Sequence, residues 1–284
     1  MRHTLISGTI GALATVFISM SAIAQSPAPE MTLTRLDCGT SAPPIDVGRF
    51  SDTFDHAGLK IQPVFSCYLI KHGEEYMLWD TGHAMTAGAV APKASVVDQL
   101  AQLKVTPEQV RFVGISHYHG DHTGQLASFP QAMLLIGKGE WDLLTSPKPP
   151  AGVNPASFAH WITGGGKMEA VPLDKDVFGD GTVVMLATPG HTPGHHSVLV
   201  RLGQMGNVLI TGDLAHFHEN YESDGVPSIN TSRAETLASL DRFKKIRRKP
   251  QGHRDPAARW SGYRQVAGLS GSGQVRPTGA GSRA

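Results

Sequence analysis

Short runs of apolar residues, each bounded by glycine, proline or charged residues, recur along the chain. This pattern is typical of buried β-strands. Residues 64–70 and 76–80 are two such runs, and the polar segment 71–75 between them predicts a hairpin turn. Residues 32–59 are rich in Gly, Pro and Asp and predict an irregular lead-in with one short strand. The other predicted strands are 112–115, 132–136, 182–186 and two that start at Ser197 and Asn207.

Apolar residues at intervals of three and four predict helices between these strands. Residues 94–103 and 232–246 have this spacing, and Ser232 or Thr231 can cap the second helix. Residues 139–144 predict a shorter helix. Strands that alternate with helices in two halves of the chain predict a mixed α/β fold.

The composition bounds the class of protein. The chain has 284 residues, of which 40% are hydrophobic, so it can bury a substantial core in one domain. Its formal net charge of +1 gives no argument for nucleic acid or an anionic membrane as a partner, and a small-molecule substrate is expected. The 14 histidines are the unusual feature.

Four metal-competent side chains follow the predicted strand 112–115. They lie in the segment His117-Tyr118-His119-Gly120-Asp121-His122. His117 and His119 are two positions apart, so their side chains can point to the same side and face one ion. Asp121 and His122 continue round the turn and can face a second. Imidazole with some carboxylate suits zinc and other borderline first-row metals.

Two further segments end predicted strands with ligand-type residues. Thr188-Pro189-Gly190-His191-Thr192-Pro193-Gly194-His195 follows residues 182–186, and Asp213 follows the apolar residues 208–210. Together with the segment around Asp80, these units resemble the metallo-β-lactamase superfamily of metallohydrolases over residues 36–246. The resemblance implies a four-layer αββα sandwich whose metal site lies at one edge, between two sheets.

The resemblance also implies a ligand set for two zinc ions. His117, His119 and His191 correspond to ligands of one ion, Asp121 and His122 to ligands of the other, and Asp213 to the carboxylate that bridges both. His191 is favoured over His195 because it is the first histidine of the Thr-Pro-Gly-His motif. His195 and His196 are expected to support or pack. Asp80 is expected to orient a ligand imidazole.

Within the superfamily, the chain is most similar to the N-acyl homoserine lactonase branch. The similarity extends over residues 65–70, 78–82, 116–124 and 188–195 and over the segment that follows Asp213. It implies that metal-bound hydroxide opens a lactone ring, a quorum-quenching activity, with Asp121 passing a proton to the leaving oxygen. Some lactonases have a substrate-contacting tyrosine three residues after the bridging aspartate. His216 occupies that position here, and His218 and Tyr221 are nearby alternatives; all three could equally be exposed loop residues.

Three other functions stay open. One is a secreted metallo-β-lactamase, which would use the same ions on the amide of a β-lactam. A second is a glyoxalase-like thioester hydrolase. The third is a catalytically impaired metal-binding protein. A serine hydrolase is not expected, because the sequence contains no Gly-x-Ser-x-Gly motif.

Residues 1–24 predict a signal peptide. Arg2 and His3 precede an apolar stretch, and Ala22-Ile23-Ala24 is a cleavage pattern that would leave Gln25 as the first mature residue. A membrane anchor is the alternative, but the apolar stretch is short and interrupted by Ser and Gly. The expected location is the periplasm or the exterior. There Cys38 and Cys67 could form a disulfide, although a buried free thiol at Cys67 is equally compatible with the sequence.

Residues 247–284 do not continue the pattern. They are rich in Arg, Gly, Ser and Pro, and Asp255 is their one acidic residue. The lactonase branch would end with another strand and a histidine of the second metal site. One hypothesis is a disordered tail or basic arm. The other is a frameshift product, since back-translating 251–260 and moving by one base permits Lys-Ala-Thr-Val-Ile-Gln-Gln-His-Asp. As written, the sequence predicts a weakened second site. The oligomeric state is not predicted.

Overall fold

The computed structural model describes residues 29–40, 43–203 and 205–248. The predicted signal peptide, 1–24, and tail residues 249–284 lie outside these described residues. The strands are β1 (Met31–Thr40), β2 (Ile45–Asp46), β3 (Lys60–Ile61), β4 (Val64–His72), β5 (Glu75–Trp79), β6 (Val110–Ile115), β7 (Met133–Gly137), β8 (Met168–Val171), β9 (Lys175–Asp176), β10 (Val183–Ala187), β11 (His196–Leu202) and β12 (Gly206–Ile210).

The helices lie between and after these strands. They are α1 (Val96–Gln102), α2 (Gly120–Thr123), α3 (Lys138–Leu144), α4 (Ala159–Ile162), α5 (His218–Ser223) and α6 (Arg233–Arg248). Short 3-10 turns occupy Val47–Phe50, Gly88–Val90, Pro107–Gln109, Leu126–Ser128, Pro155–Phe158 and Gly212–Leu214. Helix α6 continues two residues beyond the predicted domain end at Ile246, so Arg247 and Arg248 belong to its last turn.

Two sheets form the centre of the fold. The larger sheet has six strands in the order β1-β4-β5-β6-β7-β8, and the smaller has four in the order β12-β11-β10-β9. Strands β5 to β8 pair in parallel, whereas β1, β4 and β5 and the whole smaller sheet are antiparallel. Strands β2 and β3 form a separate two-stranded hairpin. The predicted hairpin 64–80 is confirmed.

Alternate residues of the larger sheet enter two different cores. On strand β5, Met77 and Trp79 face the smaller sheet, where they pack with Met185 and Val198, and Leu78 faces the opposite side. Helix α1 packs on that opposite side, where Leu100 is fully buried. Side chains that alternate along a strand point to opposite faces, so a strand with both faces covered is apolar throughout.

The fourth layer covers the outer face of the smaller sheet. Leu240 and Phe243 of α6 pack with Leu214 and Tyr221, and Leu209 of β12 lies against them. Helices therefore cover both outer faces of the paired sheets, which confirms the predicted αββα sandwich. No helix in the described part of the chain has the length and apolar character that crossing a bilayer requires.

The lead-in was the least accurate prediction. Strand β1 has ten residues rather than being short, and it pairs along nearly its whole length with β4. Polar residues such as Arg35 and Asp37 interrupt its apolar pattern, and Gly39 follows a bulge. These residues conceal the strand because it lies at the edge of the sheet, where one face tolerates polar side chains.

The two cysteines are paired. Cys38 of β1 and Cys67 of β4 form a disulfide with a Cα–Cα distance of 5.8 Å, and both side chains are fully buried. The disulfide therefore closes a covalent loop between the two outermost strands at this end of the larger sheet.

Candidate metal centre

The predicted ligands meet at one edge of the two sheets. His117 directly follows Ser116 at the end of β6, and His191 lies in the loop that joins β10 to β11. Asp213 follows the end of β12. The N–H of His196 donates to the carbonyl oxygen of Ser116 (2.9 Å), which ties the start of β11 to the end of β6. Ligand-type residues from both sheets are thereby brought to the same edge.

Four side chains form the first group. His117, His119, His191 and Asp213 each offer one ligand atom, and these atoms lie within 4.8 Å of one another. Nδ1 of His119 lies 2.9 Å from Nε2 of His117 and 3.0 Å from Nε2 of His191. This is the set that the sequence predicted for one ion.

Hydrogen bonds on the far side of two rings determine which nitrogens face this group. Nδ1 of His191 donates to the side-chain oxygen of Asn230 (2.8 Å). Nδ1 of His117 lies 3.1 Å from the hydroxyl oxygen of Ser116, which donates its own proton to Asp80. Each ring then has its proton on Nδ1, so the Nε2 lone pair faces the group.

Three side chains form the second group. Asp121, His122 and Asp213 also bring one ligand atom each within 4.8 Å of the others. His122 lies on α2, and its Nε2 is 3.2 Å from Oδ1 of Asp213 and 3.6 Å from Oδ2 of Asp121. Asp213 belongs to both groups, which is the geometry of a bridging carboxylate.

Asp80 orients His122, as predicted. Its Oδ2 accepts from Nδ1 of His122 (2.9 Å) and from the Ser116 hydroxyl (2.9 Å), and its Oδ1 accepts from the Ser116 N–H (2.7 Å). Asp80 has a φ of +59°, a left-handed conformation that costs a non-glycine residue about 1–3 kcal/mol. Three hydrogen bonds to one buried carboxylate hold it in this conformation.

His195 supports Asp213 from behind. Nε2 of His195 accepts from the backbone N–H of Asp213 (3.0 Å), and its Nδ1 donates to the carbonyl oxygen of Thr188 (3.0 Å). Gly212, with a φ of +56°, approaches this ring so closely that a Cβ would lie 2.8 Å from Nε2. The turn therefore needs glycine, and His195 has the supporting role expected from the sequence. His196 is buried and bonds to the backbone at Gly194 (2.8 Å).

Burial keeps most of the ring nitrogens unprotonated. It lowers the pKa of His117 and His195 well below the ordinary histidine value, and it lowers the pKa of His191 to about 4. Burial also lowers the pKa of His119. Neutral imidazole is the form that can bind a metal, so these rings are ready to act as ligands near pH 7.

The acidic residues give His122 the opposite shift. Burial alone would lower its pKa, but Asp213, Asp80 and Asp121 together raise it well above the ordinary value. Burial would raise the pKa of Asp213, but His216 and His122 hold it well below its usual range. A positive charge is therefore stabilised at the point where these carboxylates converge.

The arrangement fits metal cations. In the first group, Nε2 of His117 and Nε2 of His191 both face Nδ1 of His119, which has at most one proton to share between them, whereas a cation could bind all three nitrogens. In the second group, Nε2 of His122 is buried and faces two carboxylates, at 3.2 Å from Asp213 and 3.6 Å from Asp121. Imidazole nitrogen and carboxylate oxygen are ligands that zinc accepts, and an adjoining pair of sites can share one carboxylate.

The other predicted catalytic residues lie in different places. His216 is at the centre, with Nε2 3.2 Å from Oδ2 of Asp213 and its ring 4.6 Å from that of Phe50. Tyr221 is on α5 and packs against α6. Its ring centroid lies 6.3 Å from that of Phe243 and 4.8 Å from Nζ of Lys244. The described contacts of Tyr221 are thus with α6 rather than with the ligand groups. His218 begins α5.

Sequence reasoning gave no role to Ser116, Asn230 or Glu140. Ser116 adjoins the histidine motif, which was a usable signal. Asn230 and Glu140 act on ligand segments 39 and 54 residues away in the chain, and no local pattern reveals such contacts.

The sequence profile described as Metallo-beta-lactamase superfamily matches residues 66–251. The N-acyl homoserine lactonase AttM of Rhizobium johnstonii is 29% identical over 237 residues, which cover 70% of this chain and 84% of that protein. AttM of Rhizobium radiobacter is 31% identical over 191 residues, covering 60% of this chain and 67% of that protein.

Solved structures give the same fold. A quorum-quenching N-acyl homoserine lactone lactonase superposes with a TM-score of 0.65 at 23% identity, covering 78% of this chain and 89% of that one. AidC, a dizinc quorum-quenching lactonase, superposes with a TM-score of 0.60 at 21% identity, covering 78% and 85%. These likenesses extend to the whole sandwich and not only to the histidine motif.

Proposed function

Because the chain belongs to the metallo-beta-lactamase superfamily, we propose that it is a zinc-dependent hydrolase that opens the ring of N-acyl homoserine lactones. The observation that carries the proposal is the pair of adjoining ligand groups that share Asp213. Relatives that this chain matches over most of their length are named N-acyl homoserine lactonases. These names support a lactone as the substrate.

Each ligand group would bind one zinc ion of the cofactor. His117, His119 and His191 would bind one zinc ion, Asp121 and His122 would bind the other, and Asp213 would contact both. Two zinc ions would supply an activated water and an electrophile for a carbonyl oxygen. The second group has two ligands of its own among the described residues, so its ion is expected to be the weaker.

We assign the proton transfer of the reaction to Asp121. Ring opening breaks the bond between the carbonyl carbon and the ring oxygen and joins that carbon to a water oxygen, so one proton must pass from water to the ring oxygen. The side chain of Asp121 is 25% exposed and lies beside His122. Its carboxylate can hold that proton and deliver it to the leaving oxygen, which then departs as a hydroxyl group.

His216 is our candidate for a substrate contact. Its ring lies between Phe50 and His191, at centroid distances of 4.6 and 5.5 Å, and it belongs to neither ligand group. A ring N–H at this position can donate to the substrate carbonyl or to Asp213. We expect H216A to keep its zinc content and to lose at least about tenfold in kcat/KM, the effect of one hydrogen bond of about 1.4 kcal/mol.

The substrate class is tested by an assay of the zinc-loaded protein against two ring types. N-hexanoyl homoserine lactone and a carbapenem are supplied separately, and ring opening is followed by proton release and by loss of β-lactam absorbance. We expect hydrolysis of the lactone and its loss in D213A. Hydrolysis of the carbapenem alone would assign the protein to the β-lactamases, and zinc binding without turnover of either would make it a metal-binding protein.

We also propose that the protein is exported. The N-terminal pattern of residues 1–24 and the buried Cys38–Cys67 disulfide both support an oxidising compartment. Mass spectrometry of the protein recovered from a periplasmic fraction is expected to find Gln25 at the N-terminus. A chain retained in the cytoplasm with an intact Met1 would refute this proposal.

A further inference from the structure

Glu140 of α3 is a completely buried carboxyl group outside both ligand groups. We propose that Glu140 is a positioning residue that holds the His117–His119 segment and the His191–His195 loop at the separation that the first zinc ion requires. The inference rests on the metal centre of the proposed function. It assigns a role to a side chain that belongs to neither ligand group.

The two oxygens of Glu140 bond to two different ligand segments. Oε2 accepts from the backbone N–H of Tyr118 (3.0 Å), and Oε1 accepts from the backbone N–H of Gly194 (2.7 Å). Tyr118 lies between His117 and His119 in the chain. Gly194 follows His191 by three residues and precedes His195, which in turn holds Asp213. One carboxylate therefore joins the two segments that supply the three histidines of the first group.

The start of α3 packs closely against the His191–His195 loop. A Cβ on Gly137 would overlap the carbonyl oxygen of Gly194, and a Cβ on Gly139 would lie 2.8 Å from the nitrogen of Gly194. The start of α3 thus touches the His191–His195 loop backbone against backbone. No side chain at position 137 or 139 fits between these backbones, and the acceptor that the N–H of Gly194 has there is Oε1 of Glu140 (2.7 Å).

The energetics favour a linking role over a packing role. Burial raises the pKa of Glu140 to about 7, so the site disfavours the charge. A leucine would fill a similar volume without that cost, but it would leave two buried N–H groups without acceptors, at about 1–3 kcal/mol each. Those two groups belong to separate ligand segments, so losing both bonds would remove a side-chain link between the segments and leave the His196–Ser116 backbone hydrogen bond to hold them.

The decisive variant is E140Q. Glutamine has one carbonyl oxygen, so it can accept from only one of the two N–H groups and presents its own NH₂ to the other. Supporting residues of this kind typically change metal affinity by ~10–100-fold when they are altered, and we expect a loss of that size. Affinity is measured by competition with a chelator of known zinc affinity, which requires no catalytic activity.

Kinetics distinguish positioning from general stability. At saturating zinc we expect kcat of E140Q to fall at least ~10-fold while KM stays within ~2-fold, because the ligand geometry changes and substrate contacts do not. E169Q is the matched control, since Glu169 lies on β8 and pairs at the surface with Lys175 (2.9 Å). We expect parental zinc affinity and kinetics for E169Q.

A lower Tm for E140Q with parental zinc affinity and kcat would overturn the proposal and make Glu140 a stability residue only. If E140Q does not fold, E140D is measured by the same zinc competition, because it keeps both oxygens but withdraws them by one methylene. We then expect weaker zinc binding, and parental zinc affinity in E140D would overturn the proposal. Absence of lactone hydrolysis in the parent protein would refute the proposed function alone, since the zinc comparison between parent and variant still tests Glu140.

Discussion

At the scale of single residues, the candidate centre depends on which nitrogen of each imidazole carries its proton. Asp80 accepts the Nδ1 proton of His122, and Asn230 accepts that of His191. The hydroxyl oxygen of Ser116 faces the Nδ1 proton of His117. In each ring the Nε2 atom therefore points to the ligand groups. The ligand residues alone therefore do not define the site. Their supporting partners decide whether the lone pairs are available.

D80N tests this role directly. Asparagine can donate from its NH₂ to Nδ1 of His122, which would move the ring proton to Nε2 and place it against the second group. We expect the second zinc ion to bind ~10–100-fold more weakly and the first ion to be weakened less, because Asp80 reaches His117 only through the Ser116 hydroxyl. A two-step zinc titration measures both. D142N, at an exposed pair with Lys138, is the control, and equal weakening of both ions in D80N would contradict the account.

The ligand residues could be predicted from the sequence because they follow strands in short motifs. His117, His119, Asp121 and His122 lie within six positions, and the structure brings them together with His191 and Asp213. The contacts of Asn230 and Glu140 could not be predicted, since they join segments distant in the chain. The substrate-side assignment of Tyr221 rested on its nearness in sequence to Asp213, whereas the side chain packs against α6.

At the scale of elements, the strands predicted from apolar runs are confirmed and the edge strand β1 was underestimated. The inner strands are covered on both faces, which makes their residues uniformly apolar and easy to recognise. Strand β1 mixes polar and apolar residues, and the pairing that defines it is with β4, about thirty residues away. The Cys38–Cys67 pair, which the sequence left open, follows from that pairing.

The disulfide is expected to stabilise this edge of the sheet. Its two cysteines are separated by 29 positions, and closing a loop of that length contributes roughly 3–4 kcal/mol in the chain-entropy model. We expect the double variant C38A/C67A to unfold about 10 °C below the parent in calorimetry. Dithiothreitol should lower the parent Tm towards that of the variant without affecting the variant. A variant with parental Tm would show that the disulfide adds nothing.

A pH-dependent contact joins the two sheets. His72 at the end of β4 lies 2.7 Å from Asp180, which precedes β10, and its ring stacks on Phe178. Burial would raise the pKa of Asp180, but hydrogen bonds from Thr182 and His72 lower it to about 2. Since the folded-state pKa lies below the unfolded value of 3.8, this stabilisation is present above about pH 4 and is lost as the pH falls from 3.8 towards 2.

D180N tests this linkage. We expect its Tm at pH 7 to be about 1–3 °C below that of the parent, because partly exposed ion pairs contribute less than about 1 kcal/mol. The difference should shrink as the pH is lowered from 5 to 3. Chelator is present throughout, so that zinc loss at low pH does not enter the comparison. A Tm difference that grows on acidification would contradict the assigned sign.

At the scale of the whole molecule, the sandwich explains why ligands so far apart in sequence meet. The larger sheet contributes His117 at the end of β6, and the smaller contributes His191 and Asp213 at the ends of β10 and β12. Strands of both sheets end at the same edge. The four layers were predicted from the resemblance to the superfamily that these motifs carry. The frameshift hypothesis for residues 247–284 stays a prediction that the nucleotide sequence decides, since nearly all of that segment lies outside the described residues.

The number of zinc ions bound per chain tests the central claim most directly. The purified protein is stripped with chelator, reloaded with zinc, dialysed and measured by elemental mass spectrometry against protein concentration. We predict two ions per chain in the parent, the second weaker, and at most one in D213A, which lacks the shared carboxylate. A parent that retains no zinc, or a D213A variant that still retains two ions with parental affinity, would contradict the account.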